Sequence, residues 1–216
     1  MSWSTWQNSR RVGKAVTELE KIPLFPLNLV LFPGSSLPLQ IFEPRYTDLV
    51  SECLKSDSGF GICCIREGSE VGEHANCFEV GTFVKITDWS QLDNGLLGIT
   101  VEAQKRFQVQ SYSRRENTLL EGQITWLTDE DGGEITQEYH ALRDFMTRVF
   151  EHYEIIFDED SYKINESLWL GYRLAEYLPL SVEEKQALLE LTDSEQRLQR
   201  IQKVLEENKF DYGTQA

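Results

Sequence analysis

The sequence predicts an α+β fold, in which a strand-rich N-terminal half is followed by a helical C-terminal half. Within residues 22–127, short apolar runs alternate with polar residues at a period of two and are separated by turns rich in Gly, Pro and Asn, which is typical of β-strands. Beyond residue 134 the apolar residues recur at the spacing of helices. Acidic and glycine residues at 129–133 interrupt both patterns, so the domain boundary is predicted there.

The strand-rich half contains three clear signals. Residues 22–32 are apolar on both faces and predict a buried strand, and Pro33-Gly34 supplies the preferred central pair of a type II turn. Asp93-Asn94-Gly95 lies between two apolar runs and predicts a β-hairpin. Residues 107–110 and 123–126 alternate apolar with polar side chains, so one face of each predicted strand can be buried.

One helix is predicted inside this half. Pro44 suits the first helical position, and the residues after it place a single apolar stripe on one helical face: Tyr46, Leu49, Val50, Cys53 and Leu54.

The C-terminal half is predicted to be a helical bundle over residues 134–208. One apolar face spans residues 139–153, and a second helix spans residues 168–178 and ends at Pro179. Two further helices are predicted to open on capping boxes, formed by Ser181 with Glu184 and by Thr192 with Glu195.

The chain is strongly acidic, with 21 Lys and Arg against 36 Asp and Glu and a net charge of -15. Residues 1–17 carry three basic residues and no acid, so the rest of the chain has 18 basic and 36 acidic residues and a net charge of -18. Such a body repels phosphate backbones, because their binding relies on Lys and Arg. Nucleic acid is therefore not the expected partner.

Residues 1–17 are interpreted as a flexible tail, since terminal residues are usually poorly ordered and the apolar face here is short. A membrane-surface anchor and an organelle transit peptide are the alternatives, because two aromatic residues precede three basic ones: Trp3, Trp6, Arg10, Arg11 and Lys14.

Cysteine usage favours a cytoplasmic protein with free thiols. The four cysteines form no C-x-x-C pair and have no His at a metal-ligand spacing, so no zinc site is expected: Cys53, Cys63, Cys64 and Cys77. The sequence has no apolar run of about 18 residues, the length that a membrane-spanning helix needs. It also has no recognisable signal-peptide core.

Catalytic motifs are absent from the sequence. It contains no G-x-x-x-x-G-K-[ST] phosphate loop, no G-x-S-x-G elbow and no H-E-x-x-H helix. His74, His140 and His152 lie far apart. We therefore expect no catalytic residue, no cofactor and no metal site.

Several motifs closely resemble the N-terminal domain family of Lon proteases. Residues 22–34 read IPLFPLNLVLFPG and residues 37–46 read LPLQIFEPRY. Later pieces resemble the same family: Val80-Gly81-Thr82, Arg106-Phe107 and Leu178-Pro179-Leu180-Ser181. The resemblance covers residues 22–208, nearly the whole chain.

The resemblance implies a PUA-like β pseudo-barrel at residues 18–128 followed by the helical bundle. It also implies a non-catalytic module that binds unfolded polypeptides, or a protease or chaperone partner, within protein quality control. The ATPase and Ser-Lys peptidase segments of Lon are not found in these 216 residues. The alternatives are a PUA-like RNA-binding module and a dedicated adaptor for one protease or chaperone; the sequence does not indicate an oligomeric state.

The most distinctive family residues are expected to be structural. Pro44 fits the first helical turn, Glu43 is favourable near the positive end of the helix, and Tyr46 begins the buried stripe. The set assigned to this structural role is Pro26, Pro33, Gly34, Glu43, Pro44, Arg45, Tyr46, Gly81, Arg106 and Phe107.

A polypeptide-binding surface is expected where large apolar side chains are exposed, since such patches often mark binding sites. The predicted contributors are Phe32, Pro33, Trp89, Leu92 and Trp126. The barrel and its cleft with the bundle are the predicted location.

Overall fold

The computed structural model describes residues 19–70, 75–130, 132–157 and 161–207. The predicted tail at residues 1–17 and the histidine at position 74 lie outside these ranges. One α-helix is inserted between the second and third described strands, and four more follow the last of these strands. The predicted α+β fold class is therefore confirmed.

Five strands close into a barrel, and two more are attached to it. The described strands are β1 Glu20–Leu27, β2 Ser36–Ile41, β3 Gly59–Gly68, β4 Ala75–Cys77, β5 Val80–Gln91, β6 Leu97–Arg114 and β7 Leu120–Trp126. Their order is β1-β7-β6-β5-β3-β4. The barrel closes because residues 20–23 of β1 pair antiparallel with β7 while residues 24–27 pair parallel with β3.

β1 is shorter than the sequence predicts, because it ends at Leu27 and not at residue 32. Leu31 and Phe32 follow in a loop and are still buried, at 7% and 0% exposure. Their apolar character therefore reflects burial without strand conformation. The predicted turn is present, since the Ser35 N–H donates to the Phe32 carbonyl at 3.1 Å and Gly34 has a φ of 79°.

The predicted hairpin is confirmed, and it reaches beyond the barrel. Asn94 Oδ1 accepts the Leu96 N–H at 3.0 Å, and Gly95 has a φ of 81°. β3 pairs with β5 only at residues 82–85, and β7 pairs with β6 only from Phe107 onward. The tip of the hairpin instead pairs with β2, through residues 97–102 of β6. β2, β6 and β5 thus form a three-stranded extension of the barrel.

The inserted helix is α1, Pro44–Ser56, and Pro44 occupies its first turn as predicted. Tyr46, Leu49, Val50 and Cys53 are buried in the barrel core. Leu54, the last residue of the predicted stripe, is 45% exposed.

The C-terminal part consists of a 3₁₀ turn at Gln137–Tyr139 and the helices α2 His140–His152, α3 Ser167–Tyr177, α4 Val182–Glu190 and α5 Ser194–Glu207. Ser181 and Glu184 form the predicted capping box on α4. The predicted box of Thr192 with Glu195 is wrong. Asp193 begins α5 instead, because its Oδ1 accepts the N–H groups of Glu195 and Gln196 at 2.8 and 3.1 Å.

The barrel and the helices share a hydrophobic core. Phe32 and Val80 from the barrel half pack into the cluster formed by Leu170, Tyr172 and Leu189 of the helices. The ring centroids of Phe32 and Tyr172 lie 5.9 Å apart.

Candidate polypeptide-binding surface

Two open grooves share residues 38–40 of β2, and we call them the β2 grooves. The larger has a volume of about 380 Å³ and is lined further by residues 88–90, Leu92 and residues 98–100. The smaller, of about 210 Å³, is lined further by the end of β1, the start of α1 and Glu70. The two grooves therefore place one continuous strand segment at an accessible surface of the barrel extension.

In the wall of the larger groove, Leu92 packs closely on Gly98. A Cβ atom at Gly98 would lie 2.8 Å from Leu92 Cδ2, which is closer than van der Waals contact allows. The turn holds Leu92 at this position, because its N–H donates to the Leu96 carbonyl at 2.9 Å. Leu92 therefore lies directly over β6 and leaves the groove beside it open.

Two aromatic side chains expose large apolar surfaces along the β2 grooves. Trp89 lines the larger groove and is 60% exposed, and Phe42 lines the smaller groove and is 58% exposed. Exposed apolar surface grouped in this way is typical of sites that bind polypeptides or other proteins.

The β2 grooves are acidic. Asp88 lines the larger groove, and Glu43 and Glu70 line the smaller one. No Lys or Arg is among the described residues that line either groove. Asp88 Oδ1 accepts the Trp89 N–H at 2.9 Å, and Glu70 Oε1 accepts the Asn28 N–H at 2.6 Å. Neutral backbone donors leave the charge of these two carboxylates in place, so the grooves attract cations.

The predicted binding residues do not form one surface. Trp89 and Leu92 both line the larger β2 groove. Trp126 is half-buried elsewhere on the barrel, where Lys105 Nζ lies 3.5 Å from its ring centroid and its Nε1–H donates to Glu20 at 2.8 Å.

The prediction that Phe32 contributes to the binding surface is wrong. Its side chain is fully buried against the helices, because the loop after β1 turns the ring into the shared core. Pro33 is half-buried beside it, and its carbonyl accepts from Arg173 Nη2 at 2.6 Å. Both residues therefore lie at the contact between barrel and bundle.

Glu43, Arg45 and Tyr46 pack where the sequence places a helix start. Arg45 Nη2 pairs with Glu43 Oε2 at 2.8 Å, and the Tyr46 ring stacks on Phe25 at a centroid distance of 3.9 Å. Burial raises the pKa of the Tyr46 hydroxyl to about 12. Tyr46 and Glu43 also line the smaller β2 groove, so this helix start supports part of the candidate surface.

Gly81 and Phe107 are packed against each other inside the barrel. A Cβ atom at Gly81 would lie 2.7 Å from Phe107 Cζ and 2.4 Å from the Ile62 carbonyl oxygen. Only glycine allows this approach of β3, β5 and β6. Pro26, another residue of the resemblance, is buried in β1.

Arg106 links the barrel to the bundle. Its side chain is fully buried, and Nη1 donates to the carbonyls of Leu189 and Leu191 at the end of α4. Nη2 pairs with Asp129 Oδ1 at 2.6 Å. Carbonyls at a helix end carry partial negative charge, so a guanidinium is favourable there.

Arg197 and Tyr172 complete the same buried cluster around Asp129. The Tyr172 hydroxyl donates to Asp129 Oδ1 at 2.6 Å, and Arg197 Nη2 lies 3.6 Å from that oxygen. Arg197 also donates to the carbonyls of Leu188 and Leu191. Burial lowers the pKa of Arg197 from its ordinary value.

Arg173 forms a second link between the two halves. From α3 it donates to the carbonyls of Pro33 and Gly34 at 2.6 and 3.3 Å, and to the Ser35 hydroxyl at 3.1 Å. It also pairs with Glu176 at 2.8 Å. Arg173 therefore fixes the turn that the sequence motif specifies.

Sequence reasoning missed Arg173, Arg197 and Asp129. A signal was available for Arg197 in the sequence. It lies one residue before Leu198 and four before Ile201, on the buried stripe of α5. A basic residue on an apolar helical stripe indicates a buried guanidinium with carbonyl or carboxylate partners.

Burial limits the reactivity of the cysteine thiols. All four cysteines are buried, and burial raises the pKa of Cys64 and of Cys77 to about 11, which leaves little reactive thiolate. Among the described residues, no three His, Cys, Asp or Glu side chains group as a metal site. No helix in the described ranges is long and apolar enough to cross a membrane.

A third groove of about 450 Å³ lies between the barrel and the bundle. Polar and charged residues make up much of its lining, including Arg66, Glu79, Gln108 and Glu190. Gln186 Nε2 donates to the Val80 carbonyl at 3.1 Å and ties α4 to β5 beside it. Polar surface therefore makes up a larger share of this cleft than of either β2 groove.

The structure thus combines a β-barrel with a helical bundle that buried arginines join to it, and two grooves lie along β2 of the barrel extension. The family model for the substrate-binding domain of ATP-dependent protease La (LON) matches residues 21–207. The chain therefore belongs to the Lon substrate-binding domain family.

Solved structures agree with this assignment. A Lon N-terminal domain protein from Xanthomonas campestris superposes with a TM-score of 0.73 at 32% identity, covering 85% of this chain and 98% of that one. The N-terminal domain of the Mycobacterium avium complex Lon protease has a TM-score of 0.64 at 16% identity, covering 89% of this chain and 100% of that one. The second likeness concerns the fold alone.

Curated relatives are longer proteins. Lon protease 1 of Bacillus subtilis is 27% identical over 190 residues, which is 83% of this chain and 24% of the relative. Lon protease of Parabacteroides distasonis is 30% identical over 125 residues, 57% of this chain and 15% of the relative. The chain thus spans less than a quarter of the length of both relatives.

Proposed function

We propose that this chain is a non-catalytic module that binds apolar segments of unfolded polypeptides at the β2 grooves, in support of protein quality control. The observation that carries the proposal is the pair of exposed aromatic rings, Trp89 and Phe42, beside an accessible strand in a member of the Lon substrate-binding domain family. β2 pairs only with β6 in the described sheet, so its other edge is available to an extended peptide.

The chemistry of the grooves supports a polypeptide over a nucleic acid. Their carboxylates repel phosphate groups, whereas their apolar walls offer favourable contact to Leu, Phe or Trp side chains. Binding is expected to be of micromolar strength, because ordering an unfolded segment costs about 2–5 kcal/mol of the gross interaction.

The test is fluorescence anisotropy with labelled unfolded peptides and, for comparison, the folded protein from which they derive. We expect the peptides to bind and the folded parent not to bind. Because exposed aromatic residues at interface centres contribute about 2 kcal/mol or more, the double variant Trp89→Ala/Phe42→Ala should weaken peptide binding at least about tenfold. Tyr153→Ala, which removes a ring that is 69% exposed on the bundle, is the matched control and should bind normally.

A dedicated adaptor would give another outcome. If no peptide binds at concentrations of roughly tens of micromolar, and a pulldown recovers one folded protease or chaperone in stoichiometric amount, client binding is wrong. The same double variant then shows whether the folded partner uses the β2 grooves.

A further inference from the structure

The β2 grooves combine carboxylates with apolar surface. Glu43, Glu70 and Asp88 line them, with no Lys or Arg among the described lining residues. Within the described part of the chain, Glu43 pairs with Arg45 at 2.8 Å, whereas Glu70 and Asp88 accept from backbone N–H groups. An occupant of matching chemistry therefore combines basic side chains with aromatic or aliphatic ones.

One segment of this chain has that chemistry. Residues 1–17 carry a charge of +3 and no acid, while the remainder carries -18. The same segment contains two tryptophans ahead of its basic residues: Trp3, Trp6, Arg10, Arg11 and Lys14. Its composition is thus complementary in charge and in apolar character to the β2 grooves.

The segment is long enough to reach these grooves within one molecule. It precedes β1, and Phe25 and Leu27 of β1 line the smaller groove. Glu20 and Leu27, the ends of this 8-residue strand, are separated by about 23 Å at the usual strand rise. A chain of 17 residues can span up to about 55–60 Å. The segment can therefore turn back along β1 and still place its tryptophans at β2.

We propose that residues 1–17 occupy the β2 grooves of their own chain and compete there with other polypeptides. Trp3 and Trp6 contact the apolar walls, and Arg10, Arg11 and Lys14 pair with the groove carboxylates. The competition rests on the proposed function, because it assumes that other polypeptides bind at the β2 grooves. Occupation of the grooves by residues 1–17 does not depend on that assumption.

The size of the effect follows from tethering. A short linker gives an effective concentration of about 1 mM. If the segment alone binds with a Kd of roughly 50–100 μM, occupation of the grooves reduces the apparent affinity for an added peptide by about ten- to twentyfold.

The first experiment locates the segment in the full chain. A photo-reactive benzoylphenylalanine replaces Trp6, and cross-linked peptides are identified by mass spectrometry. We expect cross-links within one molecule to residues 38–42 and 88–92. Cross-links mainly to another part of the chain, or to a second copy in a covalent dimer, overturn the proposal.

A charge swap provides the matched control. The substitutions Arg10→Glu, Arg11→Glu and Lys14→Glu reverse the charge of residues 1–17. They should reduce these cross-links at least about fivefold, because the groove carboxylates then repel the segment. Adding Asp88→Lys and Glu70→Lys should restore them. Glu116→Lys and Glu138→Lys, at exposed carboxylates outside both grooves, should not. Equal recovery with both pairs contradicts a specific site.

Client binding distinguishes this inference from the proposed function. An unfolded, apolar peptide without net charge should bind the charge-reversed chain about tenfold more tightly than wild type. If both chains bind it equally, the competition is wrong and the proposed function stands. If neither binds it while the cross-links form as expected, occupation of the grooves stands and client binding is wrong.

Discussion

At the scale of single residues, Asp129 holds together the contact between the two halves. Its Oδ1 accepts from Arg106 and Tyr172 at 2.6 Å, and Arg197 lies 3.6 Å away. Two guanidiniums whose side chains are fully buried share this carboxylate. Buried charges are tolerated only when they are paired and hydrogen-bonded.

Removing the charge of Asp129 should therefore destabilise the protein strongly. Asp129→Asn keeps the shape of the side chain but leaves two buried guanidiniums without a counter-charge, and we expect a loss of about 3 kcal/mol in the free energy of unfolding. Urea denaturation measures this. Asp144→Asn, which breaks the exposed pair with Arg143, should cost less than about 1 kcal/mol. Equal losses in the two variants would show that the cluster has no special role.

Tyr46 should make the folding stability of the protein decrease at alkaline pH. Burial raises the pKa of its hydroxyl to about 12, above the value of about 10 in an unfolded chain. The folded state therefore retains a proton that the unfolded state loses, so stability is complete below about pH 10 and decreases as the pH rises toward 12.

The variant Tyr46→Phe should lose less stability between about pH 9.5 and 12 than wild type, by about 2 kcal/mol. Urea denaturation at several pH values provides the measurement. Tyr153→Phe, at a ring that is 69% exposed, is the control. Parallel stability curves for wild type and Tyr46→Phe would contradict the assigned cause.

At the scale of elements, the start of α5 shows how one residue of difference changes a helix cap. Thr192 and Glu195 have the spacing of a capping box, but Asp193 accepts the N–H groups of Glu195 and Gln196. These hydrogen bonds hold the pKa of Asp193 below its ordinary value. Its contribution is present above the ordinary carboxyl pKa of about 3.9 and is lost as the pH falls through the lowered value.

Asp193→Ala should lower the melting temperature at pH 7, because two N–H groups at the start of α5 lose their acceptor. Thr192→Ala should leave it nearly unchanged. The difference between Asp193→Ala and wild type should shrink at strongly acidic pH. Differential scanning calorimetry tests this, and the reverse ranking of the two variants would restore the capping box that the sequence predicts.

The three-stranded extension is the element on which the proposed function depends. The tip of the β5–β6 hairpin pairs with β2 and not with the barrel strands β3 and β7. This arrangement leaves Trp89 exposed while the same hairpin buries Val84 and Val101 in the barrel core. One hairpin thus serves stability at its base and surface recognition at its tip.

At the scale of the whole molecule, the shared core and the buried arginines couple the barrel to the bundle. Phe32 and Val80 lie in the cluster formed by the helices, and Arg173 binds the turn after Phe32. Composition predicts a boundary near residues 129–133, but packing and hydrogen bonds connect the parts on either side of it.

We predict that barrel and bundle unfold together. Hydrogen exchange should give amides in β6 and α3 the same free energy of opening, within about 1 kcal/mol. Phe32→Ala should lower both values by about 3–5 kcal/mol, since it creates a cavity in the shared core. Leu54→Ala, at a residue that is 45% exposed, should change them by less than about 0.5 kcal/mol. A loss confined to β6 or to α3 would show two independent units.

Much of the fold could be predicted because its signals are local. The hairpin turn at residues 93–95, the helix beginning at Pro44 and the capping box of Ser181 with Glu184 each depend on residues close in sequence. Periodicity also separated strands from helices. It could not separate the end of β1 from the apolar loop after it, because burial favours the same residues in both.

The sequence by itself determined the fold class, the family and the acidic character of the molecule, since these depend on composition, periodicity and contiguous motifs. Only the tertiary structure decided which apolar residues are accessible: Phe32 is buried, whereas Trp89 and Phe42 are exposed beside β2. It also decided that Arg106 and Arg197 both meet Asp129, because contacts between residues 23 and 68 positions apart depend on how the strands and helices pack and not on local pattern.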